Sequence, residues 1–216
     1  SPTNNFCTLN PLNLTSSTVL SEGNLHWVST TSAYPILGTY LLPDSGKWYW
    51  EMTPIAVDEI GVGIVEADLK AEGNSGGGTM WESRTYYYRG GNIYLEGSAD
   101  TSGDAYVNGD VIGIAYNADD DEISWYNNNV AQGDSPYSLT AGIRVIPYVT
   151  NAASSGSATI VMNFGSDSSF AGALTAQGNA DGNGIGDFYY APPSGYLALC
   201  TSNLSDPEIA LPGDNF

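Results

Sequence analysis

The sequence contains very few positive charges. It has 5 Lys and Arg residues against 24 Asp and Glu in 216 residues, which gives a formal net charge of -19 at pH 7. So few cations cannot form the basic surface that nucleic acid or an anionic membrane requires. The composition therefore excludes nucleic-acid binding and favours partners that are neutral glycans or proteins.

Long hydrophobic runs and a leader peptide are also lacking. No apolar run approaches the ~18 residues needed to cross a bilayer, so we expect no membrane insertion. The chain begins with Ser1, and neither a charged segment nor an apolar leader follows it. We therefore expect a processed chain or a piece of a longer protein. The 42% hydrophobic and 12% aromatic residues argue against disorder.

Cysteine and histidine are nearly absent. Cys7 and Cys200 are the only cysteines and His26 is the only histidine. This excludes a Cys-rich zinc site and a disulfide-dense scaffold, and it restricts histidine-based catalysis to one residue. The termini of a β-sandwich often run side by side, so a Cys7–Cys200 bridge stays open as an alternative. Two small buried thiols are the favoured interpretation.

Alternating side chains predict β-strands along most of the chain. Residues 47–52 and 158–164 alternate between apolar and polar positions, whereas residues 111–116 are apolar on both faces. Clusters of Gly, Asn, Ser and Asp separate these runs, and neither a repeat nor a change in composition divides the chain. The sequence predicts one all-β sandwich. The positions predicted to face its core include Trp48, Trp50, Met52, Trp125, Ala158, Ile160, Met162 and Phe164.

Residues 46–51 (Gly-Lys-Trp-Tyr-Trp-Glu) resemble the hallmark strand of the SPRY family, Gly-Lys-x-Tyr-Trp-Glu. Other family landmarks follow in order, at 62–64 (Val-Gly-Ile), 109–114 (Gly-Asp-Val-Ile-Gly-Ile), 123–128 (Ile-Ser-Trp-Tyr-Asn-Asn), 145–149 (Val-Ile-Pro-Tyr-Val) and 162–165 (Met-Asn-Phe-Gly). The resemblance covers roughly residues 40–200. It implies a bent antiparallel, concanavalin-like β-sandwich with little helix, in which variable loops form the recognition surface.

Three further stretches resemble SPRY modules of tailed-bacteriophage virion proteins. They are residues 89–94 (Arg-Gly-Gly-Asn-Ile-Tyr), 192–199 (Pro-Pro-Ser-Gly-Tyr-Leu-Ala-Leu) and 201–209 (Thr-Ser-Asn-Leu-Ser-Asp-Pro-Glu-Ile). The resemblance implies a single SPRY-like domain over 1–204 and a Pro-containing tether over 205–216 that leads to a further module. The tether departs from the phage pattern at Ser205 and Asp206, where Pro is expected.

This likeness leads us to expect a non-enzymatic module of a bacteriophage virion protein, such as a tail fibre or capsid appendage. We expect it in the virion or outside the cell, as a monomer or an oligomer. Its expected partner is a host-surface glycan, a host-surface protein or another virion protein. Because one fold hosts many functions, this expectation is an analogy.

A glycan-cleaving enzyme is the alternative, since lectin-like sandwiches include glucanases. The catalytic strand of these glucanases reads Glu-x-Asp-x-x-Glu. Retaining chemistry needs two of its carboxyl groups about 5–5.5 Å apart. The nearest match is formed by Glu66, Asp68 and Glu72, with one residue too many before the last carboxylate. We therefore predict no catalytic residues.

The candidate ligand-binding residues are Trp81, Glu82 and Arg84. They follow the Gly-rich stretch 74–79 and precede a strand that contains three consecutive tyrosines. Sugar sites commonly combine an aromatic face with polar side chains, which these three residues would supply. The alternative is that Trp81 fills one end of the sandwich and Arg84 pairs with a carboxylate.

Residues 179–187 (Asn-Ala-Asp-Gly-Asn-Gly-Ile-Gly-Asp) present oxygen-bearing side chains at alternate positions, as calcium loops do. The twelfth position of such a loop, which should be Glu, is Tyr190, and no helices flank the segment. An ordinary surface loop is favoured over a calcium site. The acidic run 119–122 is interpreted as a solvated hairpin tip.

Overall fold

Two largely antiparallel β-sheets form the computed structural model of the protein. The structure describes residues 4–14, 16–30, 35–56, 60–67, 85–100, 102–151 and 156–205. Among these residues the only helical element is a 3-10 turn, Pro11–Asn13, and none forms a helix long and apolar enough to cross a membrane. The predicted all-β fold with little helix is confirmed.

The strands are numbered in chain order. The larger sheet runs β1 (Thr18–Ser21), β2 (His26–Ser29), β14 (Ala158–Asn163), β4 (Lys47–Ala56), β9 (Ile112–Asn117), β10 (Glu122–Asn127) and β11 (Val130–Ala131). Two short strands join it, as β12 (Tyr137–Ser138) pairs with β10 and β15 (Leu197–Ala198) runs parallel to β4. The smaller sheet runs β3 (Pro35–Leu37), β13 (Val145–Asn151), β5 (Ile60–Glu66), β6 (Thr85–Arg89), β7 (Asn92–Leu95) and β8 (Ser98–Asp100).

The main core lies between the sheets and contains the side chains that the alternation predicted. All eight predicted core positions are buried in one hydrophobic cluster with residues of the smaller sheet. Trp50 stacks near Phe164, with ring centroids 6.3 Å apart. The indole of Trp125 donates a 2.9 Å hydrogen bond to the carbonyl of Val62, which joins the two sheets across the core.

Tight turns connect neighbouring strands where the sequence predicted reversals. At the β10–β11 turn, Asn128 and Asn129 have φ angles of 48° and 65°, the left-handed conformation that asparagine tolerates and that two-residue hairpin loops favour. The side chain of Asn128 also accepts from the amide of Val111 and donates to Asp110. Side-chain and backbone chemistry therefore fix this reversal together.

The outer face of β4 is buried as well, which the alternation did not predict. Tyr49 and Glu51 point away from the main core, yet they are 2% and 0% exposed. Residues 165–199, which we call the C-terminal cover, contact this face; the backbone amides of Tyr189 and Tyr190 donate to Glu51. Phe188 lies against Tyr49 with ring centroids 5.3 Å apart. The larger sheet is thus covered on both faces around Tyr49 and Glu51.

The two cysteines lie near each other in the fold, and both thiols are free and buried. Phe6 pairs with Cys200, and the amide of Cys7 donates to the carbonyl of Leu199. The chain ends therefore run side by side, but adjacent residues alternate between faces. Cys7 enters the main core, where burial raises its pKa to about 11, while Cys200 packs with Tyr49 on the outer face.

Candidate ligand-binding site

The residues predicted to bind ligand belong to the connection between β5 and β6. Val65 pairs with Thr85, so this connection begins and ends at one end of the smaller sheet, which we call the loop end. Trp81, Glu82 and Arg84 lie outside the described residues. Their role in binding therefore stays a prediction, but the surroundings of their connection are described.

A cavity of about 430 Å³ opens at the loop end. Three chain segments that are distant in sequence, around residues 44, 116–121 and 142–144, form its walls. The cavity adjoins the β5–β6 connection, because the amide of Ala67 donates a 2.7 Å hydrogen bond to the carbonyl of Arg144. The residues that line it are Asp44, Tyr116, Ala118, Asp121, Gly142, Ile143 and Arg144.

The acidic β9–β10 turn has a structural role beside the cavity. The carboxylate of Asp119 accepts a 2.8 Å hydrogen bond from the amide of Gly46, and Asp120 accepts one of 2.7 Å from the Asn117 side chain. Asp121 has a φ of 53°, and its side chain lines the cavity. The acidic run is therefore not only a solvated hairpin tip. It stabilises two turns through hydrogen bonds and supplies one carboxylate to the cavity.

The segment that carries Arg144 is anchored to the smaller sheet. The Tyr86 hydroxyl and the Thr140 hydroxyl each donate a 2.5 Å hydrogen bond to the carboxylate of Glu96. The amide of Thr140 in turn donates to the Tyr86 hydroxyl at 3.0 Å. This network holds the start of the segment in place before it reaches the cavity.

The cavity combines groups of opposite character. Burial, together with the negative charges of Asp121 and Asp44, raises the pKa of Tyr116 to about 12, so its phenol remains neutral. Arg144 supplies a guanidinium and Ile143 an aliphatic surface. Hydrogen-bond donors, carboxylate acceptors and an apolar wall suit a polar, uncharged ligand such as a sugar or a peptide segment.

Sequence reasoning missed these cavity residues for a definite reason. Asp44 and Arg144 carry no local motif, and Tyr116 was included in a strand apolar on both faces. Only the pairing of β4 with β9, and the bond between Leu42 and Val145, brings the three segments together. No signal within any one segment indicates a cavity.

The buried carboxylates outside the cavity are engaged in structural hydrogen bonds. Glu51 accepts from the Tyr49 hydroxyl, the Asn163 amide and two backbone amides of the cover. Of the glucanase-like residues, Glu66 ends β5 half-buried, while Asp68 and Glu72 lie outside the described residues. Glu51 is 0% exposed and is held by four donors, so it anchors the chain and is not positioned to reach a substrate.

His26 forms a pair with Ser21, whose hydroxyl oxygen lies 2.8 Å from the ring nitrogen Nδ1. A nucleophilic serine also needs free donors for an oxyanion. The turn at residues 171–173, which lines the same cavity, offers none, because the amides of Ala171, Gly172 and Ala173 donate to Asp167, to Ser169 and to the carbonyl of Phe170. This turn therefore supplies no oxyanion hole for the pair.

The loop suspected of binding calcium is closed by its own aspartate. Asp181 accepts hydrogen bonds of 2.9 Å from the amides of Asn183 and Ile185 through one oxygen. Its other oxygen accepts from the amide of Ala198 and the Asn203 side chain. Among the described residues no group of three His, Cys, Asp or Glu side chains is placed to hold a metal ion. A cation here would have to displace four donors.

Residues 47–167 match the family model of the SPRY domain. This match covers more than half of the chain, and it includes the hallmark strand and the landmarks that follow it. The chain therefore belongs to the SPRY domain family, as its sequence motifs indicated. No curated protein sequence matches the chain.

Solved structures share the fold at low sequence identity. The SPRY domain of human HERC1 matches with a TM-score of 0.54 and 16% identity, over 71% of this chain and 96% of that chain. The PSpry domain of TRIM65 matches with a TM-score of 0.56 and 12% identity, over 73% and 92%. Stonustoxin matches with a TM-score of 0.60 and 15% identity over 73% of this chain. The match spans 27% of the stonustoxin chain.

SPRY domains are generally non-catalytic modules for protein–protein recognition. The identities of 12–16% establish the fold alone, and no partner of those proteins transfers to this chain. The chain is therefore a SPRY-type β-sandwich, a fold whose family typically serves in protein–protein recognition.

Proposed function

We propose that this SPRY domain is a non-catalytic recognition module of a bacteriophage virion protein, such as a tail fibre or capsid appendage. The ligand is a neutral glycan or an uncharged protein segment on the host surface, and it binds in the loop-end cavity. The observation that carries the proposal is the cavity itself, where Tyr116, Asp44, Asp121 and Arg144 converge.

The composition of the cavity favours a neutral ligand. Two carboxylates and one guanidinium line it, on a chain with a net charge of -19. An anionic glycan would meet this field and be repelled unless divalent cations intervened. Hydroxyl and amide groups of a neutral ligand can instead donate to the carboxylates and accept from Arg144 and Tyr116.

The virion context is supported by the sequence. Residues 192–199 and the tether that follows resemble the end of phage SPRY modules, as described above. In the structure, residues 192–199 form the last part of the C-terminal cover and include β15, which pairs with β4. The phage-like motif thus lies in the covering layer of the domain.

The test is a glycan array combined with measurements on matched variants. We expect wild type to bind a small set of neutral glycans, or a purified host-surface protein, with affinity lost tenfold or more in Arg144→Gln and Asp44→Asn. Lys47→Gln and Asp134→Asn make the same changes in charge outside the cavity and should bind as wild type does. Equal loss in cavity and control variants would refute the assignment of the site.

A second measurement separates recognition from cleavage. The purified protein is incubated with labelled polysaccharides and assayed for new reducing ends. We expect none, because Glu51 and Asp181 are each held by four hydrogen-bond donors. Release of reducing ends would overturn the binding function in favour of the glycan-cleaving alternative.

A further inference from the structure

A second concave surface lies on the outer face of the larger sheet. Two cavities of about 460 Å³ and 330 Å³ share Glu22, Val161 and Ala171, so they form one continuous depression. We call it the outer groove and define it by Glu22, His26, Ile55, Val161, Asp167 and Ala171. It shares no lining residue with the loop-end cavity.

The floor of the outer groove is apolar. Val161 on β14 is buried, and Ile55 near the end of β4 is 36% exposed, one of the few large aliphatic side chains at the surface of the described residues. Ile55 lies four residues after Glu51 on β4, so both side chains point to the face that the C-terminal cover protects elsewhere. Val161 on the neighbouring strand β14 points to the same face. The groove is therefore a stretch of sheet that the cover leaves open.

The two walls of the groove carry carboxylates. Glu22 stands at the β1–β2 turn, exposed, and its side chain forms no hydrogen bond or ion pair within the part of the chain described. Asp167 stands on the opposite wall. Partial burial works against its ionisation, but hydrogen bonds from Ser169 and Ala171 outweigh this and hold the pKa of Asp167 below its usual value. No Lys or Arg is among the lining residues.

Both walls have a fixed backbone shape. Glu22, Gly23 and Asn24 have φ angles of 49°, 65° and 66°, and Phe170, Ala171 and Gly172 have 51°, 56° and 82°. A non-glycine residue in this region costs on the order of 1 kcal/mol or more, so neighbouring contacts must hold it there. On the second wall, Asp167 accepts from Ala171, and the Phe170 ring is buried. The groove is thus formed before any ligand arrives.

We propose that the outer groove is a second binding site, for an extended protein segment that carries Lys or Arg beside an aliphatic or aromatic side chain. The cationic head lies between Glu22 and Asp167, and the apolar side chain lies on Val161 and Ile55. Charge complementarity selects the class of partner, because both walls are anionic and the floor excludes a wholly polar ligand. The ring of His26 adds a polar group at one end of the floor.

This site is independent of the function proposed for the loop end. The partner class also differs, since the loop-end cavity contains a guanidinium of its own and suits a neutral ligand. A chain with 5 cations and 24 acidic residues attracts any basic peptide weakly, so a test must separate the groove from the general field. Matched variants at exposed positions achieve this.

The experiment uses an array of random hexapeptides and four variants of the full chain. Glu22→Gln removes one wall carboxylate, and Asp134→Asn removes an exposed carboxylate beyond the far edge of the sheet. Ala173→Arg places a cation in the groove, and Ala131→Arg places one on the edge strand β11. Thermal melts of all four confirm that each variant is folded.

We expect wild type to select peptides with Lys or Arg next to an apolar residue. Glu22→Gln should weaken their binding about fivefold and Ala173→Arg more than tenfold, whereas both controls stay within twofold of wild type. In NMR titrations with the selected peptide, the amides of residues 22–26 and 166–173 should shift. Replacing its cations with Gln, or its apolar residues with Ser, should each abolish those shifts.

The proposal fails if the array shows no preference for cationic over anionic peptides. It also fails if the control variants lose as much affinity as the groove variants, because the general field then accounts for binding. Shifts produced at the same amides by calcium or by a neutral glycan, without a peptide response, would assign the groove to another ligand. If Ala173→Arg does not fold, the comparison of Glu22→Gln with Asp134→Asn decides the matter alone.

Discussion

The side-chain amide of Asn163 donates a 3.1 Å hydrogen bond to the buried carboxylate of Glu51, its register partner on the neighbouring strand. The other end of the same amide accepts from the backbone of Gly165, Ser166 and Asp167. Glu51 also accepts hydrogen bonds from the backbone at residues 189–190. This one cross-strand pair therefore joins the larger sheet to the start of the C-terminal cover at 165–167 and to its later part at 189–190. The ionisation of Glu51 therefore depends on a buried environment that contains four hydrogen-bond donors.

The first prediction concerns pH. Burial raises the pKa of Glu51 from 4.5 to about 7, although four hydrogen bonds work in the opposite direction. The folded state therefore binds a proton that the unfolded state has lost between those two values. Stability from this group is fully present below about pH 4.5 and is lost as the pH rises through about 7. The stability lost over this range is expected to be on the order of 3 kcal/mol. Denaturant unfolding at several pH values measures it.

Glu51→Gln is the control for this prediction. The variant should be destabilised by about 2–4 kcal/mol at neutral pH, because its amide nitrogen would face backbone donors that the carboxylate accepts. Its stability should also fall less steeply than that of wild type between about pH 4.5 and 7. Parallel stability curves for the two proteins would show that Glu51 does not titrate in this range.

The alternation of residues 47–52 was enough to predict which side of β4 enters the main core. Trp48, Trp50 and Met52 follow the period of two that a strand imposes, and all are buried. The burial of Tyr49 and Glu51 was not predictable in this way. It depends on the cover, a mostly irregular segment with no hydrophobic period, which lies on the sheet through side-chain hydrogen bonds distant in sequence.

The loop-end cavity shows the same limit for a binding site. Sequence reasoning favoured Trp81, Glu82 and Arg84 because an aromatic and two charged residues stand together in one segment. Those residues lie outside the described part of the chain, and the described cavity gathers single residues from separate segments, such as Asp44 and Arg144. Local composition can indicate a site within one loop, but convergence of several loops is a property of sheet topology.

A second prediction concerns the aspartate that closes the 181–187 loop. Asp181→Asn keeps one acceptor but turns an amide nitrogen toward the donors of Ala198 and Asn203. We expect a loss of about 2–3 kcal/mol, since buried donors are left unpaired. Asp134→Asn, at an exposed position, should change stability by less than about 0.5 kcal/mol. Equal effects in denaturant unfolding would contradict the role assigned to Asp181.

A third prediction compares two core tryptophans. Trp125 and Trp50 are both 0% exposed, but only Trp125 has a hydrogen-bond partner for its indole among the described residues, the carbonyl of Val62. Replacement of either by Phe removes similar volume. Trp125→Phe should cost about 1 kcal/mol more than Trp50→Phe, because it also removes a hydrogen bond buried in the core. The two free energies of unfolding give the answer directly, and equal losses would rule out a contribution from this bond.

The last prediction concerns the net charge of -19. With 5 cations for 24 acidic residues, most carboxylates cannot pair with a cation, and their mutual repulsion opposes the compact state. Exposed charges are screened within about 8 Å at physiological ionic strength and about 3 Å at 1 M. The thermal midpoint should therefore rise measurably from low salt to a few tenths molar NaCl, and a flat response would refute the repulsion argument. Calcium chloride at matched ionic strength should stabilise no more than NaCl does, because the oxygens of Asp181 already accept four hydrogen bonds. Extra stabilisation by calcium that disappears in Asp181→Asn would show instead that the cation displaces those donors and binds the loop.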